Sequence, residues 1–206
     1  MAKRVIIGLG TGRCGTTSLV GLLKLQTKAP KAVTHLRRRL RWQCDLALAL
    51  EVARELVESP EDLSADVGCF WLPYAYNIAQ TFPSIRFLCL FREKAAYIES
   101  WINSQPGRNP WIEQSGAPND LAYPNWGIPD TAAAAGAYWQ SYMLSALELE
   151  AALFERFRIF YFGHLNTESG QREMLRFVGI ENPVVQVPIH LNRRGVPWNK
   201  RLEGFG

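Results

Sequence analysis

Apolar positions along the chain recur with two different periods, and the changes between them predict strands and helices in alternation. A β-branched run from Val5 predicts a first strand, which ends in a glycine-rich turn. An apolar-periodic stretch follows to about Gln26, with Leu19, Leu22 and Leu23 on one helical face. The opening segment is therefore predicted to be a strand, a loop and a helix.

The same alternation continues through the rest of the chain. It predicts strands over 32–34, 66–71, 85–91 and 158–162, and helices over 45–58, 72–82, 93–103, 131–157 and 168–178. Strands that alternate with helices form a parallel sheet that is covered on both faces. The expected fold class is therefore α/β, a three-layer parallel sheet with helices on both faces. Ligands of such sheets bind outside the carboxyl ends of the strands.

Two stretches carry no clear period. One runs from about 104 to 130 and is rich in Pro, Gly, Asn and Trp, and the other is the tail from 181. Trp111, Tyr123 and Trp126 argue against disorder in the first stretch, and they could line an acceptor by stacking on a sugar or an aromatic ring. The alternative is that they only pack the loop onto the domain.

Composition limits the class of protein. The 206 residues suit a single domain over 1–206, and a hydrophobic fraction of 48% is enough for a full core. The net charge of +4 favours anionic partners without demanding nucleic acid. No stretch is long and apolar enough to span a bilayer, and the first residues show no signal peptide. Four scattered cysteines without a C-x-x-C pair fit reduced thiols, so we expect a cytoplasmic protein.

The glycine-rich turn after the first strand has the chemistry of an anion site, because such a loop and the following helix N-terminus aim N–H groups at one place. Gly10, Gly15 and Thr17 fit the spacing of the nucleotide-binding P-loop, G-x-x-x-x-G-K-[ST], so the fold is expected to be P-loop-like. Thr16 stands where that motif has lysine, and Arg13 supplies the cation instead. A tight connection that binds no ligand is the alternative.

Cys14 lies inside this loop, beside Arg13 and a helix N-terminus. That environment could acidify its thiol and suit a nucleophile, whereas the alternative is a small residue that fills a tight turn. His35, His164 and His190 are dispersed along the chain, so we expect no metal site.

A second anion site is predicted where the strand over 85–91 ends in Arg92. A kinase or nucleotide hydrolase of this fold should place an acid at a strand edge to hold Mg²⁺, and here the edge has arginine. Ser100 follows on the next predicted helix, about two turns from its start. Arg92 and Ser100 could together hold a phosphate through charge-assisted hydrogen bonds. The alternative is a surface arginine and an unrelated helix serine.

The segment 13–18 resembles the loop that binds the 5′-phosphosulfate in sulfotransferases that use 3′-phosphoadenosine-5′-phosphosulfate (PAPS). In that family a lysine or arginine precedes a Gly-Thr-Thr sequence. Phe91 and Arg92 followed by Ser100 are similar to the 3′-phosphate motif of the same family, with the same arginine-to-serine interval. The resemblance continues more weakly over 161–180.

The late part of the chain departs from the family in one place and resembles it in another. Gly163 and His164 stand where the family often has an acidic pair. Arg193, Arg194 and Gly195 are similar to a late Arg-Lys-Gly loop that closes over the cofactor in many members. The resemblance implies that these three residues contact the cofactor.

The resemblance implies transfer of the sulfuryl group of PAPS to a hydroxyl or amine, with adenosine 3′,5′-bisphosphate as the product and no metal. The loop residues that it implies for cofactor binding are Arg13, Cys14, Gly15, Thr16, Thr17 and Ser18. Backbone amides would hold the 5′-phosphate, and Arg13 would neutralise the leaving oxygen. Arg92 and Ser100 would hold the 3′-phosphate, which ATP lacks.

Two residues are candidates for the general base that deprotonates the acceptor. Asp66 aligns with a carboxylate of the family that precedes a Pro-x-Tyr-Leu-like segment, and its alternative role is a strand-end cap. His35 follows the predicted second strand and is favoured slightly, because an ordinary imidazole pKa suits base work at neutral pH. Its alternative role is a surface residue at the start of the basic run 35–42, which is either a solvated face or an electrostatic funnel.

Three other functions remain open at this point. A small-molecule kinase with an aberrant P-loop would need ATP and Mg²⁺, and a non-catalytic protein that binds adenosine 3′,5′-bisphosphate would need no base. Nucleic-acid binding would depend steeply on salt. For the sulfotransferase we expect a small-molecule or glycan acceptor, no nucleic acid and no membrane span, while the oligomeric state stays open.

Overall fold

The chain folds around a five-stranded sheet in which every strand pair is parallel. The computed structural model describes residues 3–35, 40, 42, 45–104, 106–112, 123–187 and 189. The strands are β1 Arg4–Gly10, β2 Val33–His35, β3 Leu63–Val67, β4 Ile85–Phe91 and β5 Phe157–Tyr161. Their order across the sheet is β2-β3-β1-β4-β5, which places β1 at the centre.

Helices follow the strands, as the alternation predicts. They are α1 Thr16–Lys24, α2 Leu46–Glu58, α3 Ala75–Thr81, α4 Lys94–Ser104, α5 Thr131–Ala152 and α6 Glu168–Phe177. Polar residues cap three of them: Asp45 accepts from the backbone N–H of Ala47 in α2, and Asp130 and Thr167 cap α5 and α6 in the same way. Short 3₁₀ helices lie at Pro30–Ala32, Cys69–Tyr74 and Phe162–Asn166.

The sheet is covered on both faces because successive strand residues point in opposite directions. Val5, Ile7 and Leu9 of β1 pack in one core with residues of α2, α3, α4 and α5. Ile6 packs in a second core with residues of α1 and α6. The expected α/β class, with a parallel sheet between two helical layers, is confirmed.

One predicted strand and the helix after it are displaced. The strand expected over 66–71 lies at Leu63–Val67, and a 3₁₀ helix begins at Cys69. The strand extends through the polar residues Ser64 and Asp66, which are buried because both side chains are hydrogen-bonded. The helix expected over 72–82 is regular only at Ala75–Thr81. The predicted strand began too late because Ser64 is polar in the sequence, whereas its burial depends on a hydrogen bond to Leu56 of α2.

The long helix expected over 131–157 ends at Ala152. A tight turn follows, in which the backbone N–H of Phe157 donates to the carbonyl oxygen of Leu153 at 2.9 Å. Phe157 then pairs with Phe87 of β4 and begins β5 one residue earlier than expected. The helical pattern alone continues to residue 157, but this residue pairs with β4 and belongs to the strand.

The sheet register brings separate parts of the chain to one edge. Gly10, the last residue of β1, pairs with Leu90 of β4, and Phe91 pairs with Tyr161 of β5. His35 of β2 pairs with Val67 at the end of β3. The loop after β1, His35 and Arg92 therefore share the carboxyl edge. Among the described residues, no helix combines the length and the apolar character that crossing a membrane requires.

Candidate anion-binding site

The loop between β1 and α1 turns sharply through residues with left-handed backbone angles. Gly12 has φ 76°, Arg13 has φ 53° and Gly15 has φ 93°. Glycine is favoured at position 15 because its φ is strained for other residues and because an added Cβ would lie 2.7 Å from Cδ1 of Leu165. Arg13 adopts a conformation that costs a non-glycine residue about 1–2 kcal/mol. Strain of this kind is typical of ligand-binding loops.

The start of α1 lies where this loop ends. The N-cap residue Gly15 makes no side-chain capping hydrogen bond. The first N–H groups of a helix have no partner within the helix and favour an anion. Thr16, Thr17 and Ser18 of the first turn are all buried. The N-terminus of α1 therefore lies where the sequence predicted an anion-binding site, which is called the anion seat below.

Cys14 fills the inside of the loop. Its side chain is fully buried and lies where a Cβ on Gly10 would have to go. Burial raises the pKa of its thiol to about 11, although hydrogen bonds with Thr11 and the loop backbone oppose the shift. The idea that this thiol is acidified is therefore wrong, because desolvation outweighs the nearby donors. Cys14 is the small filler residue of the alternative interpretation.

Arg92 lies directly against the loop. Its Nη1 donates to the carbonyl oxygen of Arg13 at 3.3 Å, and its guanidinium carbon lies 5.0 Å from the centroid of the Phe162 ring. Its Nε is buried and has no hydrogen-bond partner in the described parts of the chain. The structure thus brings together the two arginines predicted for the site. The buried Nε–H of Arg92 could donate a hydrogen bond to a ligand.

The structure says less about the other residues that were predicted to bind the cofactor. Ser100 is half-buried on α4, and its contact with a phosphate stays a prediction. Arg193, Arg194 and Gly195 lie outside the described residues. His164, which stands in place of a family acid, has Nε2 at 3.6 Å from a carboxylate oxygen of Glu173. Glu173, which makes this contact, lies on α6.

His35 ends β2 next to the first turn of α1. Its Nε2 lies 3.4 Å from Oγ1 of Thr16, which connects it to the anion seat. Burial lowers the pKa of His35 from its ordinary value of 6.5 to about 4. The imidazole is therefore neutral at pH 7, but it is a weaker base than expected, and the ordinary pKa for which His35 was favoured is not found because burial disfavours the imidazolium.

Asp66 lies within β3 and is fully buried. One of its carboxylate oxygens accepts from the hydroxyl of Thr34, and the other accepts from Nε1 of Trp71 at 2.7 Å. These bonds join β2, β3 and the 3₁₀ helix at Cys69–Tyr74. Because Thr34 precedes His35, the hydrogen bond between Asp66 and Thr34 helps to fix the part of β2 that carries the histidine.

Two functional residues on α5 were not found from the sequence. The hydroxyl of Tyr142 accepts from the backbone N–H of Gly10 at 2.9 Å, and Nε1 of Trp139 donates to the carbonyl oxygen of Arg92 at 2.8 Å. The helix therefore holds the ends of β1 and β4 together. The available signal was the run of polar-tipped aromatic residues in an alanine-rich helix.

The aromatic residues of the 104–130 stretch pack onto the domain. Trp111 is fully buried, with its ring centroid 5.7 Å from that of Tyr138, and Tyr123 lies 5.3 Å from the same ring. Trp126 remains 37% exposed. Trp111 and Tyr123 therefore pack onto the domain, and contact of these residues or of Trp126 with an acceptor stays a prediction.

No protein-family model matches the chain, and no curated protein matches it. The likeness to PAPS-dependent sulfotransferases therefore rests on the loop around Arg13, the position of Arg92 and the chemistry of the residues beside them.

Proposed function

We propose that this protein is a sulfotransferase that moves the sulfuryl group of PAPS to a hydroxyl or amine of a small molecule or glycan. The observation that carries the proposal is the hydrogen bond from Arg92 to the carbonyl oxygen of Arg13. It sets two arginines and the N-terminus of α1 at one edge of the sheet, where a donor with two separate anionic ends would be held.

The two phosphate groups of PAPS match two positions at this edge of the sheet. Arg92 has a buried Nε with no hydrogen-bond partner among the described residues, and burying such a donor costs about 1–3 kcal/mol unless a ligand pairs with it. A 3′-phosphate would pair with it, assisted by Ser100. The start of α1, where Gly15 has no side chain to cap the helix, would receive the 5′-phosphate. ATP has no 3′-phosphate and would leave Arg92 unused.

PAPS, when bound, supplies a sulfuryl group whose bond to the 5′-phosphate oxygen breaks as sulfur bonds to the acceptor oxygen or nitrogen. Arg13 neutralises the charge that this phosphate oxygen gains. The hydroxyls of Thr16, Thr17 and Ser18 assist at the same place. His35 takes the proton of the acceptor on Nε2, the atom that lies beside Thr16.

The kinase alternative needs a carboxylate that is free to bind Mg²⁺. Asp66 is the acid on the strand next to β1, but both of its oxygens accept hydrogen bonds from Thr34 and Trp71. Those bonds favour a structural role for the carboxylate. A non-catalytic bisphosphate-binding protein remains the second candidate, and it differs in having no use for the neutral His35.

We also propose that the protein works in the cytoplasm, where thiols stay reduced. Cys14, Cys69 and Cys89 are buried and form no disulfide within the described part of the chain, and burial raises the pKa of each thiol. Protonated thiols of this kind are poor nucleophiles and metal ligands.

Calorimetric titration tests the proposal. Adenosine 3′,5′-bisphosphate and ATP are each added to the protein with and without Mg²⁺. We expect the bisphosphate to bind without metal and more tightly than ATP. A requirement for Mg²⁺ together with a preference for ATP would replace the sulfotransferase with the kinase. If the bisphosphate binds, a PAPS-dependent assay of the wild type and His35→Gln separates an enzyme from a binding protein.

A further inference from the structure

The outward side of helix α5 carries a row of exposed apolar side chains, here called the α5 stripe. It consists of Leu144, Leu147 and Ala151 of the helix and Phe154 of the turn that follows. Leu144 is 56% exposed, Leu147 is 54% exposed and Phe154 is 71% exposed. Single exposed apolar residues are common on proteins, whereas several in one row indicate a surface that binds another molecule.

The spacing of the α5 stripe is that of a coiled-coil seam. Its members follow one another at intervals of three, four and three residues, which is the a and d pattern of a heptad. The other side of the helix, with Tyr138, Tyr142 and Ala146, is buried in the core. A helix that is apolar on both sides is normally buried on both sides. Here the fold buries only one of them.

Negative charge flanks the α5 stripe. Glu148 and Glu155 each follow a stripe residue directly, both are exposed, and neither forms a salt bridge with a described residue. The last turn of α5 contains no basic residue, so these acids add to the negative end of the helix dipole. Arg156, the nearest cation in the sequence, donates to the carbonyl oxygen of Ala79 on α3. A cationic partner would therefore be favoured at the stripe.

The positions of the acids disfavour a second copy of this chain as that partner. In an antiparallel pair of α5 helices the e positions face each other, so Glu148 and Glu155 of one copy would face the same acids of the other. In a parallel pair the e positions face the g positions, and the g position here is Glu150. Both arrangements bring like charges together, which is unfavourable.

The neighbouring edge of the sheet is closed to an added strand. β5 is the edge strand, and the backbone N–H of Phe157 donates to the carbonyl oxygen of Leu153 at 2.9 Å. The N–H of Ile159 donates to a carboxylate oxygen of Glu150 at 2.7 Å. Because these N–H groups already have acceptors within the chain, an extended peptide could not pair with them. A helix that lies along α5 fits the surface instead.

We propose that the α5 stripe binds a basic amphipathic helix of a partner protein. Apolar residues at the a and d positions of that helix would cover the stripe, and lysine or arginine at its e and g positions would pair with Glu148 and Glu155. A membrane of anionic lipids would be repelled by the same acids. The inference does not rest on the proposed function, because the stripe lies on the side of α5 that faces away from Tyr142.

Two synthetic peptides test the inference. Each is an amphipathic helix of about three heptads with leucine at a and d, and one has lysine at e and g while its twin has glutamate there. Each peptide carries a fluorescent label, and its anisotropy is measured against increasing concentrations of the full chain, at low and at physiological salt. Sedimentation of the chain without peptide measures self-association.

Variants of the chain locate the binding surface. Leu147→Gln interrupts the α5 stripe, and the double change Glu148→Lys with Glu155→Lys reverses its flanking charge. The matched controls are Val184→Gln and Glu181→Lys, at exposed positions after α6, a helix that packs on the other face of the sheet. All five positions are exposed, so each variant should fold, and an unchanged thermal midpoint of unfolding checks this.

We expect one lysine peptide to bind per chain, and its glutamate twin to bind at least about 10-fold more weakly at low salt. The difference should shrink at physiological salt. Leu147→Gln should weaken binding of the lysine peptide at least about 5-fold. The double charge variant should weaken the lysine peptide and tighten the glutamate twin, while the controls change neither.

Four results would overturn the inference. They are no binding of the lysine peptide, equal binding of the two peptides at low salt, unchanged affinity of the lysine peptide for Leu147→Gln, and a dimer of the chain that Leu147→Gln dissociates. The last result would assign the α5 stripe to a second copy of this chain.

Discussion

Arg13 combines two properties that rarely occur in one residue. Its backbone is left-handed although it has a side chain, and its carbonyl oxygen accepts from Arg92. The hydrogen bond joins residues that are 79 positions apart in the chain. A single residue therefore connects the loop to the end of β4, and strain in the loop is balanced by contacts that come from another strand.

The Arg92→Ala variant tests the proposed 3′-phosphate site. We expect adenosine 3′,5′-bisphosphate to bind more weakly by on the order of 2 kcal/mol, because a charge-assisted partner of the 3′-phosphate is lost. Binding of ATP should not change. The matched control is Arg54→Ala, which removes the same charge from an exposed position on α2. Equal affinities in wild type and Arg92→Ala would remove Arg92 from the site.

His35 should report donor binding through its own titration. Burial holds its pKa at about 4 in the free chain. A bound bisphosphate adds negative charge beside Thr16, which favours the imidazolium, so the pKa of His35 should rise. The measurement is the imidazole proton shift against pH in NMR spectra, assigned with His35→Gln. A pKa that is the same with and without bisphosphate would separate His35 from the anion seat.

Helix α5 is the element that organises the site. Tyr142 holds the N–H of Gly10, and Trp139 holds the carbonyl oxygen of Arg92. One helix thus connects the two strands that carry the proposed phosphate sites. Its alanine-rich sequence lets it pack closely, while its aromatic side chains reach the carboxyl edge of the sheet.

The variant Tyr142→Phe tests this connection. It leaves the buried N–H of Gly10 without a partner, so we expect the free energy of unfolding to fall by about 1–3 kcal/mol. Bisphosphate affinity should fall as well, because Gly10 begins the loop. Urea unfolding and calorimetry measure the two effects. Tyr76→Phe, at a position 51% exposed on α3, is the control and should change neither quantity.

The pH dependence of stability involves the whole molecule. The pKa of His35 is lower in the folded chain than its ordinary value of 6.5, so the unfolded chain binds more protons between pH 6.5 and pH 4. The free energy of unfolding should therefore fall as pH falls through that interval. The fall should be smaller in the His35→Gln variant. Urea unfolding of both proteins at pH 7.5 and pH 5 compares the losses. Parallel losses would mean that His35 titrates alike in both states.

Much of the architecture was predictable because its causes are local. The strand Ile85–Phe91 was predicted to the residue from a short apolar run, and the helix Leu46–Glu58 was predicted to within one residue, over 45–58. The strand at Leu63–Val67 was predicted to begin three residues too late, because Ser64 is polar and its partner, the carbonyl oxygen of Leu56, lies on α2. Burial of a polar residue cannot be foreseen without its partner.

The order of elements, the parallel sheet and the glycine-rich loop follow from neighbouring residues, since periodicity, caps and left-handed glycines act over a few positions. Other features follow from packing. They are the hydrogen bond from Arg92 to Arg13, the bond between Tyr142 and Gly10, which are 132 positions apart, and the raised pKa of the buried Cys14 thiol. A linear pattern records which groups a chain carries. Their distances and solvation depend on which distant segments come together when the sheet closes.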